Sequence, residues 1–323
     1  MEIYRELEQI QKPFPRACVT IGNFDGVHIG HQLLFADVVQ KAYKCDGTSV
    51  AITFDPHPLQ VLRPDGIKLI STCEQKTELI GYAGIDVLVI VPFNMRFATT
   101  TADHFVDEVL LRRIGVKELV VGYDYAFGKG RVGNIDFLKK QGAEKGFGVT
   151  VIDAHYEDGM LASSTKIREL VCQGRMADAK NLLGRYYQIR GVVALGKQRG
   201  GREIGFPTAN LYVDEEDLVP KIGVYVAQVI CNGKCYGGVL NVGYNPTFDD
   251  QRLVAEVHIF DFNQDIYGKP IKVNLLRYLR GEQKFAGISE LSAQIARDVL
   301  LAREILTQQQ QEIMLSCEEK FNS

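Results

Sequence analysis

Between residue 16 and about residue 184, short runs rich in β-branched and apolar residues alternate with stretches in which apolar positions recur every three or four residues. The short runs are ACVTIG, SVAITF, DVLVIV, KELVVG and GVTVID, and the stretches between them predict helices near 30–44, 75–82, 101–113 and 134–145. In the first of these Leu34, Val38 and Ala42 fall at i, i+4 and i+8, one stripe for burial against a sheet. Strand and helix alternating in this way predict a parallel sheet with crossover helices on its faces. A further helical stretch, SSTKIRELVCQGRMADAKNLLG, closes this half, with Ser or Thr as its N-cap and Gly184 as its stop.

After residue 186 the period changes to two. YYQIRGVVAL, GVYVAQVIC, CYGGVLNVG, LVAEVHIFDF and KPIKVNLLRYL are separated by Gly, Asn and Asp turns, the pattern of a small antiparallel β-barrel. A last amphipathic helix begins near Ser289 with Leu291, Ile295, Val299 and Ile305 on its apolar side, and the polar tail beyond it is expected to fray. The boundary falls at 184–187, giving an α/β domain over residues 1–185 and a barrel domain over residues 186–323. Two domains is also what 323 residues with 46% hydrophobic content predict, at roughly 100–200 residues per domain.

Charge narrows the partner classes. A formal net charge of -3 gives no global basic field, so nucleic acid is not an expected partner and any anionic ligand must be held by a local site. The segment MEIYRELEQIQKPFPR lacks the apolar core of a signal segment, and no run approaches the roughly 20 apolar residues of a membrane span. The expectation is a cytoplasmic protein without a membrane partner, monomeric or weakly self-associating. Seven cysteines scattered through a long chain fit reduced thiols. Cys231 and Cys235 flank NGK, a hairpin-turn signal, and are read as facing strand ends, with a metal or redox role as the lesser alternative.

The first chemical signal is GNFDGVHIGHQ at 22–32, between the first strand and its helix, where an open parallel sheet forms its ligand crevice. Gly22, Gly26 and Gly30 permit close backbone approach, the helix start offers N–H groups, and His28 and His31 add imidazole donors, a set suited to an anion. Spaced three apart, the histidines lack the i, i+4 geometry of helical zinc pairs, so a metal site and a merely packed turn are the lesser readings. Phosphate chemistry leads, because donors placed around an α-phosphorus stabilise the charge that grows on its oxygens during displacement. Two further stretches at strand ends carry anion donors: GYDYAFGKGRVGN (122–134), with Lys129 and Arg131, and SSTKIR (163–168), with hydroxyls, Lys166 and Arg168. Either alone is weak evidence; three in one domain are more.

A second signal interrupts the barrel half. In GGREIGFPTANL (200–211) Pro207 fixes the backbone, and Thr208 and Asn210 project to one side if the stretch is extended, offering neutral oxygens to a hard cation such as magnesium shared with a nucleotide. A Pro-Thr turn leading into a strand is the plain alternative. In LVAEVHIFDF the alternation puts Ala255, Val257 and Ile259 on one face and Glu256 with His258 on the other. A carboxylate so placed can accept the proton of a primary hydroxyl attacking a γ-phosphate, or can simply belong to a wet face.

GNFDGVHIGH, TFDPHP, GYDYAFGKGRVGN and SSTKIREL, in that order, resemble the nucleotidyltransferase half of the bacterial bifunctional riboflavin kinase/FAD synthetase family. GFPTANL, GVYVAQV, NVGYNPTF, EVHIFDFNQDIYGKPIKVNLLRYLRGEQKF and LSAQIARDVLLAR resemble its riboflavin kinase half, and the two resemblances cover residues from about 16 to 305. The resemblance implies a Rossmann-like nucleotidyltransferase domain followed by an antiparallel barrel with a C-terminal helix. It implies phosphorylation of riboflavin to FMN with ATP in the barrel domain, adenylylation of FMN to FAD with release of pyrophosphate in the first domain, and Mg²⁺ in both steps. By position, His28 and His31 would contact the ATP phosphates within a binding segment of Gly22, Asn23, Phe24, Asp25, Gly26 and Gly30. Asp124 would lie near the nucleotide or flavin, and Ser164, Thr165 and Arg168 would grip the phosphates, with Lys166 standing where arginine is common.

In the kinase half the resemblance assigns Mg²⁺ with ATP to Thr208 and Asn210, and the base for the ribityl 5′-hydroxyl to Glu256. The loop from Gly196 through Arg199 and Gly200 to Arg202 would cover the phosphates, Gly205 and Pro207 would belong to the same ATP and flavin site, and Arg277 would adjoin the flavin. Asn245 stands where many relatives carry arginine. The rival readings are a same-fold transferase using another nucleotide, an enzyme with one working half, and a flavin-binding regulator without turnover.

Overall fold

The computed structural model of the protein describes residues 1–63, 65–194, 206–244 and 253–321, with side chains as far as residue 308. Backbone packing divides it into Met1–Ile167 and Arg168–Ser323.

The first unit is built on six parallel strands: β1 (Glu2–Tyr4), β2 (Ala17–Ile21), β3 (Ser49–Asp55), β4 (Val87–Pro92), β5 (Val116–Gly122) and β6 (Gly148–Ile152), in the order β1-β4-β3-β2-β5-β6. The five expected strands are all present; β1 is an addition at the edge, where three residues were too few to show a period. Helices α1 (Ile29–Cys45), α2 (Pro58–Leu62), α3 (Cys73–Tyr82), α4 (Met95–Ala98) and α5 (Ala102–His104), which continues as a π-helix over Phe105–Ile114, are followed by α6 (Ile135–Lys145). Leu34, Val38 and Ala42 are buried as their spacing predicts. Every side chain of β2 is buried, because helices cover both faces of the sheet and such strands read as continuous apolar runs. A small hairpin, β7 (Tyr156–Glu157) with β8 (Met160–Leu161), precedes α7 (Ser164–Gln173).

The stretch expected as one helix is two. Gly174 takes φ +76° and ends α7, and α8 (Met176–Leu183) follows, stopped by Gly184 in the left-handed region as expected. Met176, Ala179, Leu182 and Leu183 bury one face of α8, which packs on strands of the second unit. The packing division at Ile167/Arg168 therefore lies upstream of the change in sequence period at 184–187.

The second unit is an antiparallel sheet of β9 (Tyr187–Val192), β10 (Ala209–Tyr212), β11 (Gly223–Cys231), β12 (Lys234–Tyr244), β13 (Leu253–Ile259) and β14 (Pro270–Arg280), in the order β10-β13-β12-β11-β14-β9. A bridge between Ala194 and Asn210 brings the two ends of that order together, so the sheet curls towards closure as a barrel. Tyr225, Ala227, Val229, Leu240, Val242, Ala255, Val257, Val273 and Leu275 are buried along alternate positions of its strands. α9 (Ile288–Phe321) lays Ala302 and Ile305 against Val224, Val226, Val239 and Leu276 on the sheet's other face. The buried Asp298 of α9 receives Arg280 in a two-pronged ion pair, Nη2 to Oδ2 at 2.7 Å and Nε to Oδ1 at 3.1 Å. Beyond the packed turns the helix does not fray at the polar tail but continues to Phe321, since TQQQQEIMLSCEEK contains no Gly or Pro to stop it.

The NGK turn forms as expected, with Asn232 and Gly233 at φ +49° and +72°. Its cysteines do not face each other. Cys231 pairs with Lys234 and Cys235 with Ile230, which sends the two thiols to opposite faces, one buried and one exposed.

Candidate active sites

GNFDGVHIGH leaves β2 and enters α1, as its sequence predicts, and it is held in an uncommon shape. Phe24, Gly26 and Val27 take φ +49°, +81° and +41°. A left-handed backbone at Phe24 and Val27 is unfavourable unless the surroundings hold it; both side chains are only 1% exposed, locked beneath the loop. His28 is the N-cap residue of α1, its carbonyl accepting from the Gln32 N–H at 3.0 Å. The His28 and His31 rings stack with centroids 3.6 Å apart, and Phe24 packs edge-on against His31. Gly30 lies under the stack: a Cβ there would sit 3.2 Å from the His28 ring. Two stacked imidazoles thus stand at a helix N-terminus where β2 ends, an arrangement suited to phosphate.

Asp25 has a different place from the one its motif suggests. Its buried carboxylate accepts from the Ile70 and Ser71 N–H groups, each at 3.1 Å, and so braces the loop from behind. Gly22 supports the same loop, with the Phe24 ring over its Cα, and Asn23 presents its carbonyl to Thr53 Oγ1 at 3.2 Å.

The structure joins two of the sequence-predicted segments directly. Ser164 Oγ donates to the Asp25 carbonyl at 2.9 Å, bringing the start of α7 against the GNFDG loop. Ser163 caps α7 by accepting from the Lys166 N–H, Thr165 is exposed, and Arg168 follows along the same helix. Loop 122–134 leaves β5, the neighbour of β2, so it rises from the same edge of the sheet. There Asp124, Lys129 and Arg131 are exposed, and Phe127 bridges to Gly133.

Beside these polar loops runs a band that periodicity did not reveal. Phe54, Phe93, Phe97, Phe105, Phe127, Tyr125 and Phe137 form a chain of ring contacts with centroid separations of 5.1–6.3 Å, and all but Phe105 are partly exposed. The residues come from the ends of β3, β4 and β5 and from the neighbouring helices. The signal in the sequence was aromatic residues clustered just after strands, as in TFDPHP and PFNMRF. His57 of TFDPHP caps α2, its Nδ1 accepting from the Leu59 N–H at 3.1 Å.

In the second unit Thr208 and Asn210 are half-buried on one side of an extended segment while Ala209 and Leu211 are buried on the other, as expected. Asn210 stands opposite Glu256 across the β10–β13 ladder, and Asn241 stands opposite Glu256 on β12. One carboxylate is therefore flanked by two amides on one face. Asn241 was not singled out from the sequence, since only the register places it there. Burial raises the Glu256 pKa above the usual carboxylate value, making its anion the stronger proton acceptor.

His258, two residues on and on the same face, shares its Nδ1 with the Pro207 carbonyl at 2.9 Å. Because a carbonyl only accepts, Nδ1 carries the proton in this bond. Phe206 and Phe260 pack edge-on against the imidazole. Arg277, exposed on β14 opposite Val226, is separated from β13 by two strands and is not brought beside Glu256. Gly196, Arg199, Gly200, Arg202, Gly205 and Asn245 lie outside the described residues.

Comparison with known proteins matches both halves. The FAD synthetase family model matches residues 10–166 and the riboflavin kinase family model residues 183–306. A bifunctional riboflavin kinase/FMN adenylyltransferase of Escherichia coli (strain K12) is 38% identical over 307 residues, covering 94% of this chain and 97% of the relative. Its counterpart in Bacillus subtilis (strain 168) is 37% identical over 294 residues, covering 90% and 92%. A crystal structure described as a macrolide-efflux protein from Streptococcus pneumoniae superposes with a TM-score of 0.84 at 32% identity, over 93% of this chain and 98% of that one. No helix among the described residues is long and apolar enough to cross a membrane.

Proposed function

The chain belongs to the bifunctional riboflavin kinase/FMN adenylyltransferase family, and from that premise we propose which residues carry each step. Riboflavin is phosphorylated to FMN in the C-terminal half, and FMN is adenylylated to FAD in the N-terminal half.

In the kinase step Glu256 accepts the proton of the ribityl 5′-hydroxyl as its oxygen attacks the γ-phosphorus of ATP and ADP leaves. Asn210 opposite Glu256 and Thr208 just before β10 supply neutral oxygens, which fit a hard cation whose remaining ligands are phosphate and water. They would hold Mg²⁺, which when bound neutralises phosphate charge. His258 positions this pair by holding the Pro207 carbonyl, and Asn241 orients the Glu256 carboxylate from its other side.

In the adenylyl step the FMN phosphate attacks the α-phosphorus of ATP, and pyrophosphate leaves. His28, His31 and the start of α1 stabilise the charge developing on the phosphate oxygens, and the loop carrying them is kept rigid by Asp25 and Ser164. Arg168 and the exposed cations of loop 122–134 complete the phosphate contacts. The band from Phe54 to Phe137 offers the flat flavin ring a surface on which to stack. The functional halves divide at residues 185/186, between α8 and β9, in a cytoplasmic protein with reduced thiols.

The observation that carries this reading is the placement of Glu256 opposite Asn210, which puts a base beside cation ligands in the half that resembles a kinase. The deciding experiment incubates the protein with riboflavin, ATP and Mg²⁺ and follows FMN and FAD by chromatography. His31→Ala accumulates FMN, whereas Glu256→Gln forms little FMN from riboflavin yet still converts supplied FMN to FAD. Loss of the same step in both variants refutes the assignment.

A further inference from the structure

Lys76 is 5% exposed, and nothing in the two steps above uses it. Lysine is almost never buried to this degree unless its ammonium is paired. From α3 its Nζ donates to the Asn23 carbonyl at 3.3 Å and to the Phe54 carbonyl at 3.1 Å. Those carbonyls lie where the adjacent strands β2 and β3 run into GNFDG and TFDPHP. Burial lowers the ammonium's pKa, while Cys73, Asp25 and Asp55 oppose the shift. The same segment grips the loop again at Ser71, whose Oγ accepts from the Gly26 N–H at 3.0 Å.

The peptide joining Asn23 to Phe24 is trans, so its N–H points opposite to its C=O. With Lys76 and Thr53 both holding the Asn23 carbonyl, the Phe24 N–H is turned away from them, and among the described residues it donates no hydrogen bond. A buried backbone donor left without a partner is rare. It sits in the loop that delivers His28 and His31.

We propose that Lys76 is a positioning residue for adenylyl transfer: by fixing the Asn23 carbonyl it aims the Phe24 N–H at the phosphates of ATP. This rests on the reading that the GNFDG loop holds those phosphates. A donor fixed in advance stabilises the transition state without reorganising, so its loss appears mainly in kcat.

The test uses the full chain with FMN, ATP and Mg²⁺, well below each variant's melting midpoint. Lys76→Met is expected to lower the adenylylation kcat at least about tenfold, with the KM for FMN and the riboflavin phosphorylation rate within twofold of wild type. Thr53→Val removes the other bond to the same carbonyl at constant shape, and a fall of about threefold or more in the same kcat is expected. A lowered melting midpoint with wild-type kcat in Lys76→Met makes the lysine merely structural and overturns the proposal. If Lys76→Met does not fold, an unchanged kcat in Thr53→Val overturns it. His31→Ala run alongside separates the two ideas: adenylylation surviving in His31→Ala refutes the loop's phosphate role, whereas loss there with wild-type rates in Lys76→Met refutes only the role of Lys76.

Discussion

Asn210 and Glu256 stand directly opposite each other on β10 and β13, so the amide and the carboxylate project from one face of the barrel unit. Directly opposite residues hold their Cβ atoms about 4.5–5.5 Å apart, close enough for both side chains to meet one ligand. The relationship joins segments separated by the GFPTANL-to-EVHIF stretch of chain, and it sets an amide beside a carboxylate.

Its first consequence is a pH dependence. Burial raises the Glu256 pKa, so the acid limb of kcat/KM for riboflavin phosphorylation lies above the ordinary carboxylate range, and Glu256→Gln removes that limb with a loss of about 10²–10⁴-fold. Stability has the opposite sign. The folded state binds this proton more tightly than the unfolded state, so stability falls as pH rises from the unfolded to the folded pKa and stays lowered above it. At neutral pH Glu256→Gln therefore melts higher than wild type, and calorimetry across that window shows a shallower slope.

His258 tests whether the segment carrying Thr208 and Asn210 needs outside support. His258→Ala removes the bond to the Pro207 carbonyl, worth about 1 kcal/mol, and kcat/KM for ATP in the kinase step falls about five- to tenfold. His258→Asn, whose side-chain amide nitrogen approximates Nδ1, recovers part of that loss. Titration of ADP in the presence of Mg²⁺ reports the same order of variants without turnover.

Gly30 tests the stacked histidines. By helix propensity Gly30→Ala is benign, but the added methyl lies 3.2 Å from the His28 ring and 3.5 Å from the Ala162 carbonyl. The ring must move, and FAD formation falls between about tenfold and 100-fold while riboflavin phosphorylation is unchanged. Parallel assays of the two steps on the one variant check this.

The elements were legible because each is a local pattern. Leu34, Val38 and Ala42 announced α1, five apolar runs announced the parallel sheet, and the Asn232–Gly233 pair announced its hairpin. The split at Gly174 and the helix past residue 308 were missed for local reasons too: one glycine in a long helical stretch is tolerated or terminal according to packing, and a polar tail can be helical without an apolar face. Lys76 left a trace, falling at i, i+4 with the buried Ile80 on the inner face of α3, where a lysine must find a partner.

The sequence by itself determined the alternation of five parallel strands with helices followed by an antiparallel half, the phosphate-suited residues at 22–32 and the chemistry each side chain can supply, because these follow from short-range periodicity and residue type. Only tertiary structure decided that Asn241 flanks Glu256, that Asp25 turns inward to Ile70 and Ser71, that Arg277 lies strands away from Glu256, and that Lys76 meets two carbonyls. These depend on strand register and on contacts between segments far apart in the chain, where a slip of one residue sends a side chain to the other face.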